Sequence, residues 1–179
     1  MKPLTTNLVD LVGNTPLIKL QRLTQDLPDN VEVLLKAEWF NPGGSVKDRA
    51  ARGIVLDALE AGRLKEGGVL LDASSGNTGI AYAMLSAAMG FKLVLCLPQN
   101  ANEERKRTLL AYGAELVLTD PNDGSDGAIK QARLLAEKHP DYYYADQYCN
   151  DSNWKAHFKS TGPELVAQTE GKITHFIAG

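Results

Sequence analysis

The sequence predicts an α/β protein: a parallel sheet in a three-layer arrangement, with helices on both faces. Two observations carry this. Short apolar stretches of strand length alternate with helix-like stretches of 11–16 residues, and an alternation of that kind builds parallel sheets. The helix-like stretches also stop at glycine or proline, the residues that end helices.

In chain order, residues 31–37 read as a strand and 46–61 as a helix stopped by Gly62. Residues 69–73 form a short apolar strand, and 77–89 a helix ended by Gly90. A strand over 91–97 ends at Pro98, and a helix over 102–112 ends at Gly113. Residues 115–119 read as a strand, 125–139 as a helix closed by Pro140, and 142–144 as a short strand. A helical turn over 164–169 and a last strand over 173–178 complete the pattern. Residues 121–127, rich in Gly, Asp and Asn, read as the most flexible loop. In the helix from Asn102, Glu103 and Glu104 precede Arg105, Lys106 and Arg107, an order that suits the helix dipole. These charges read as a solvated face.

The 179 residues suffice for one domain, or one domain and part of another. Hydrophobic residues make up 44 % and charged residues 23 %, and the formal net charge is -3. Such a chain advertises no basic face for nucleic acid. It has no apolar run long enough to span a bilayer, and residues 1–6 lack the apolar core of a signal peptide. The expected compartment is the cytoplasm. Cys96, in an apolar run, and Cys149, in a polar one, are expected to stay reduced. The sequon at Asn150-Asp151-Ser152 reads as chance. The three histidines are far apart and no Cys-x-x-Cys occurs, so no metal set is expected.

Ligands of a parallel sheet sit beyond the carboxyl ends of its strands, so the loops there are where chemistry is sought. In Asn41-Pro42-Gly43-Gly44-Ser45-Val46-Lys47-Asp48-Arg49, a Pro-Gly-Gly turn leads into a helix. Ser45 reads as its N-cap and Asp48, three residues on, as the partner in a near capping box. Lys47 then lies in the first turn, where the dipole disfavours a cation and favours the neutral amine that Schiff-base chemistry needs. On spacing alone a surface lysine with its stem along the helix is the better reading. In Ser74-Ser75-Gly76-Asn77-Thr78-Gly79, a strand gives way to a helix start with hydroxyls, an amide and free backbone N–H groups. That suits a carboxylate or phosphate, and equally a plain capped helix. It is neither a Walker A loop nor a dinucleotide fingerprint.

Taken together, these stretches resemble the cysteine synthase and cystathionine β-synthase family of fold type II pyridoxal-phosphate enzymes. The resemblance rests on Gly13-Asn14-Thr15-Pro16-Leu17-Ile18-Lys19-Leu20, on the two loops above, on Asp146-Gln147-Tyr148 and on Ser160-Thr161-Gly162-Pro163-Glu164. It runs in order over almost the whole chain. It implies pyridoxal 5'-phosphate as cofactor, with Lys47 as the Schiff-base lysine and general base. It implies Asn77 as hydrogen-bond partner of the cofactor's phenolic oxygen, and Ser74, Ser75, Thr78 and Gln147 as the cradle for the substrate carboxylate. Ser74 and Ser160 stand where the family usually has threonine, and Tyr148-Cys149-Asn150 follows Gln147.

The activity implied is β-replacement on an O-activated serine, O-acetylserine or O-phosphoserine, with sulfide to give cysteine. Condensation of serine with homocysteine, and a non-catalytic fragment, remain alternatives. A homodimer and serine acetyltransferase are the implied protein partners. Family chains are longer, so the resemblance implies three segments. Residues 1–40 begin a large domain, 41–150 form a complete small domain, and 151–179 return to a truncated large domain. The chain alone is then expected to be inactive. Residues from about 45 to 147 are expected to pack by themselves, and 1–40 and 154–179 to pack poorly.

Overall fold

The computed structural model describes residues 7–178; Gly179 and residues 1–6, where no signal-peptide core was expected, lie outside them. Its centre is a four-stranded parallel sheet in the order β5-β4-β3-β6, from Glu115–Thr119, Lys92–Pro98, Val69–Ala73 and Tyr143–Tyr144. Strand β3 is buried on both sides, as its run Val-Leu-Leu-Asp-Ala requires.

Side-chain alternation divides the core in two. Leu70, Leu93, Leu95 and Leu97 face helices α1 (Lys47–Glu60) and α2 (Asn77–Met89). Leu71, Ala73, Val94 and Cys96 face α4 (Gly124–Lys138) through Ala128 and Ala132. The three layers predicted from the sequence are therefore present. Helix α1 turns Ala50, Ala51, Ile54, Val55 and Ala58 inward on one stripe, and α2 is buried nearly all round before Gly90 stops it with φ +78°. Helix α3 (Glu103–Ala111) lies between β4 and β5, and Asn102 caps it by accepting from the Arg105 N–H. Among the described residues no helix is long and apolar enough to cross a membrane. Both cysteines are free, Cys96 buried and Cys149 exposed.

The departures from the sequence reading have identifiable causes. Strand β1 (Leu17–Lys19) pairs antiparallel with β2 (Leu34–Lys36) in a separate two-stranded sheet; the expected strand over 31–37 shrinks to three residues of this ribbon. Residues 121–127 are not a loose loop: Asp120 Oδ1 accepts from the Asn122 N–H, and helix α4 starts at Gly124. The helical stretch α5 (Asp151–Ala156), a π-helical turn over His157–Thr161 and α6 (Gly162–Gln168) replace the single turn expected over 164–169. Asn150 starts this stretch: its side chain accepts from Ser152 N–H and donates to Tyr143 Oη and the Ala145 carbonyl, so the sequon asparagine is a structural cap. Helix α5 approaches α1 at Gly53, where a Cβ would lie 2.8 Å from Ala156 Cβ. Residues 173–178 form no strand; among the described residues they have no neighbouring strand to pair with, and Ile177 is 93 % exposed. Apolar side chains outside 45–147, among them Leu23, Trp39, Phe158 and Phe176, are exposed as expected, yet Val9, Thr15 and Ala37 of the N-terminal segment are buried.

Candidate active site

The carboxyl ends of β3, β4 and β6 converge on one cavity of about 460 Å³, lined by Ala73, Pro98 and Gln147 from the sheet side. Lys47, Ser74, Ser75, Asn77 and Thr78 line the same cavity, so all six residues singled out in the sequence are brought together. Lys47 and Arg105 are the charged residues of the lining, and it contains no acidic side chain. A space so lined favours an anionic ligand.

Lys47 is the first residue of α1. The capping box expected at Ser45 and Asp48 does not form: the N-cap is Val46, which makes no side-chain cap bond. Ser45 Oγ accepts from the Lys47 N–H at 3.2 Å, while Asp48 reaches back past Ser45 to accept from the Gly43 N–H. Asp48 is fully buried, its Oδ1 has no hydrogen bond, and burial pushes its carboxyl up to about 6, against the Gly43 bond. Gly43 has no room for a side chain, because a Cβ there would lie 2.5 Å from Asp48 Oδ1. Gly43→Ala is therefore expected to displace Asp48 and destabilise the chain by about 1–3 kcal/mol; urea unfolding of the variant checks this, and an unchanged midpoint counts against it. The Lys47 side-chain amine has no hydrogen-bond or ion-pair partner among the described residues. Lys36 is the contrast, its amine donating to Thr15 O, Glu164 Oε2 and Gln168 Oε1.

The loop after β3 is shaped by Ser74, whose Oγ accepts from the Gly76 and Gly79 N–H groups at 3.3 and 3.0 Å. Ser74 thus serves the loop's own backbone with its oxygen. The amides of Ser75, Asn77 and Thr78 make no backbone hydrogen bond, as expected at a helix start, and remain for a ligand. Gln147 is buried and doubly tied to β3: its Nε2 donates to Ala73 O at 2.9 Å and its N–H to Asp72 Oδ2 at 3.3 Å. Its Oε1 and second amide proton are not used in these bonds.

Two residues at this site were not picked out from the sequence. Arg105, read there as part of a solvated face, is exposed but donates from Nη1 to Ser75 O at 3.3 Å. Its position on the cavity depends on how α3 packs, which no local pattern announces. Asp72 lies beneath the cavity floor, where burial pushes its carboxyl up to about 7 despite N–H groups from Ala73 and Gln147. An acid inside an apolar strand is the signal that was available for it. The Tyr82 hydroxyl is buried without a well-formed hydrogen bond and interacts electrostatically with Asp72.

A parallel sheet with an unpaired lysine amine and a free-amide helix start at its carboxyl edge defines the class of protein. The chain belongs to the family of pyridoxal-phosphate dependent enzymes, whose profile matches residues 8–179. It is 56 % identical over 174 residues to a cysteine synthase of Aquifex aeolicus, covering 96 % of this chain and 53 % of that protein. It is 46 % identical to cysteine synthase B of Escherichia coli, covering 97 % and 56 %. Among solved structures it is similar to a cysteine synthase of Entamoeba histolytica (TM-score 0.92, 35 % identity, 96 % of this chain and 52 % of that one). It is also similar to an O-ureido-L-serine synthase (TM-score 0.89, 41 % identity, 96 % and 53 %). The chain spans about half the length of the curated relatives it matches.

Proposed function

We propose that this chain supplies the lysine and the carboxylate cradle of a cysteine synthase, which replaces the β-substituent of an O-activated serine with sulfide. The observation that carries this is the meeting of Lys47, residues 74–78 and Gln147 on one cavity without acidic lining. The named relatives support cysteine synthesis over condensation with homocysteine. The residues fit pyridoxal 5'-phosphate: an unpaired amine for its aldehyde and an exposed Asn77 amide for its phenolic oxygen line one space. When bound, the cofactor supplies an electron sink for the α-carbon.

The chain's own groups do the rest. Lys47 would hold the cofactor through its amine, and the same amine, when free, would take the α-proton as general base. The free amides and hydroxyls of Ser75 and Thr78, with the Gln147 side chain, hold the α-carboxylate and so orient the Cα–H bond toward Lys47. Ser74 keeps the loop in shape and offers its hydroxyl proton to the same carboxylate. Net, the O-linked substituent would leave as its anion with the Cβ–O electron pair, and sulfide would take its place on that carbon. The reading extends to a homodimer, to serine acetyltransferase as protein partner and to the cytoplasm; size-exclusion chromatography with and without the acetyltransferase checks the first two.

The test is product formation from O-acetylserine and sulfide, against serine and homocysteine, by the full-length protein loaded with cofactor. Cystathionine as the main product would overturn the reading. Gln147→Ala is expected to raise the amino-acid KM roughly tenfold or more, the loss of one hydrogen bond to a charged group, with kcat less affected. An unchanged KM would remove Gln147 from the carboxylate cradle.

A further inference from the structure

The Arg49 guanidinium, two residues beyond Lys47, is almost completely buried and lies between two carboxylates. Its Nε and Nη2 donate to Glu38 at 2.7 and 2.9 Å, and its Nη1 and Nη2 to Glu164 at 2.7 and 2.8 Å. Thr15 Oγ1 and Ser160 Oγ accept from the same group at 3.2 Å. Both acids respond. Burial alone would raise them, yet hydrogen bonds from Arg49, Thr15 and Asn41 hold Glu38 below the usual range. Those from Arg49, Lys36 and the Asn14 N–H bring Glu164 down to about 2.

The cluster continues through Asn41. Its Nδ2 donates to Glu38 Oε2 and to the Ser45 carbonyl at 2.8 and 3.1 Å, and its Oδ1 accepts from the Gly13 N–H. Ser45 and Arg49, two residues to either side of Lys47, are therefore both fastened to one network. That network is closed by Glu164, 115 positions from Arg49 in the chain.

We infer that Glu164 and Arg49 are positioning residues for Lys47: the Glu38–Arg49–Glu164 cluster holds the first turn of α1 so that the lysine amine projects into the cavity. This rests on the reading of Lys47 as the cofactor lysine. The geometry argues for positioning beyond general stability because the cluster grips the turn around Lys47 and leaves the lysine amine itself unpaired. Paired, hydrogen-bonded side chains of this kind fix rotamers and so pre-organise a site.

The test uses the chain as it stands. It is incubated with pyridoxal 5'-phosphate, reduced with cyanoborohydride, and the labelled lysines are read by peptide mass spectrometry. Lys65 and Lys138, both exposed, serve as internal standards. In the parent chain Lys47 is labelled in preference to both. In Glu164→Gln the Lys47 ratio falls roughly tenfold, the loss of a charge-assisted hydrogen bond, while amide exchange over 69–98 stays slow. Glu164→Asp, which keeps the charge with a shorter reach, gives an intermediate ratio. Arg49→Lys, which cannot span both carboxylates, behaves like Glu164→Gln. No preference for Lys47 in the parent chain overturns the cofactor-lysine reading and this inference with it. A preference that survives in both Glu164→Gln and Arg49→Lys overturns the inference alone. Should either of those two unfold the sheet, a parent-like ratio in folded Glu164→Asp overturns it as well.

Discussion

In the full-length enzyme proposed above, Lys47→Ala is expected to abolish both covalent attachment of the cofactor and turnover. Lys47 is the lysine on the cavity, its amine is unpaired among the described residues, and no second lysine lines that space to replace it. Loss of the general base alone removes roughly 10²–10⁴-fold of rate, and loss of the anchor adds to it. Lys47→Arg should fail as completely, because a guanidinium stays charged and cannot condense with an aldehyde. The check is the visible absorbance of lysine-bound cofactor after exhaustive dialysis, with turnover on O-acetylserine and sulfide. A purified Lys47→Ala protein that kept its absorbance would assign the role to another residue.

The second large effect is on stability against pH. Asp72 and Asp48 are buried carboxyls pushed up to about 7 and about 6, in each case first by burial. Between their ordinary values and these, the folded chain binds more protons than the unfolded one. Stability therefore falls as pH rises through this window. Three units at Asp72 correspond to roughly 4 kcal/mol at full ionisation. The urea midpoint at pH 8.5 should lie well below that at pH 5.5, and Asp72→Asn should flatten the dependence. Glu164 works in the opposite sense, but its stabilisation is lost only as pH falls below about 4.5 toward 2, below both of these pH values. Equal midpoints at pH 5.5 and 8.5 would show that Asp72 is not held in the protonated form.

The sheet and its two main helices were legible because their signals are local. Residues 69–73, 77–89 and 115–119 carry continuous apolar runs or a helix ended by glycine, and they fold as read. The stretch over 151–161 was missed because polar residues dominate it, and its helix depends on the Asn150 cap and on packing at Gly53. The strand expected over 173–178 had the right residues but has no partner among those described. At the site, Lys47, residues 74–78 and Gln147 stand out through short motifs and line one cavity. What stayed hidden were contacts between distant parts of the chain. Glu164 beside Arg49, Arg105 over Ser75 and Asp72 under Gln147 lie 115, 30 and 75 positions apart. No spacing rule reaches that far.

The same long-range fastening sets an order of events during synthesis. The sheet from β3 to β6 and its helices can assemble once residue 144 has emerged from the ribosome, because all of its strands lie before that point. The segment around Asn14, Lys36 and Arg49 must wait for Glu164, since all three of these residues donate to that one carboxylate. Until then Arg49 has Glu38 and Thr15, and the final tie to Glu164 closes a loop more than a hundred residues long, which is entropically slow. The nascent chain would thus acquire its sheet first and its reactive turn last, so that the lysine is set for chemistry only after the scaffold around it is complete.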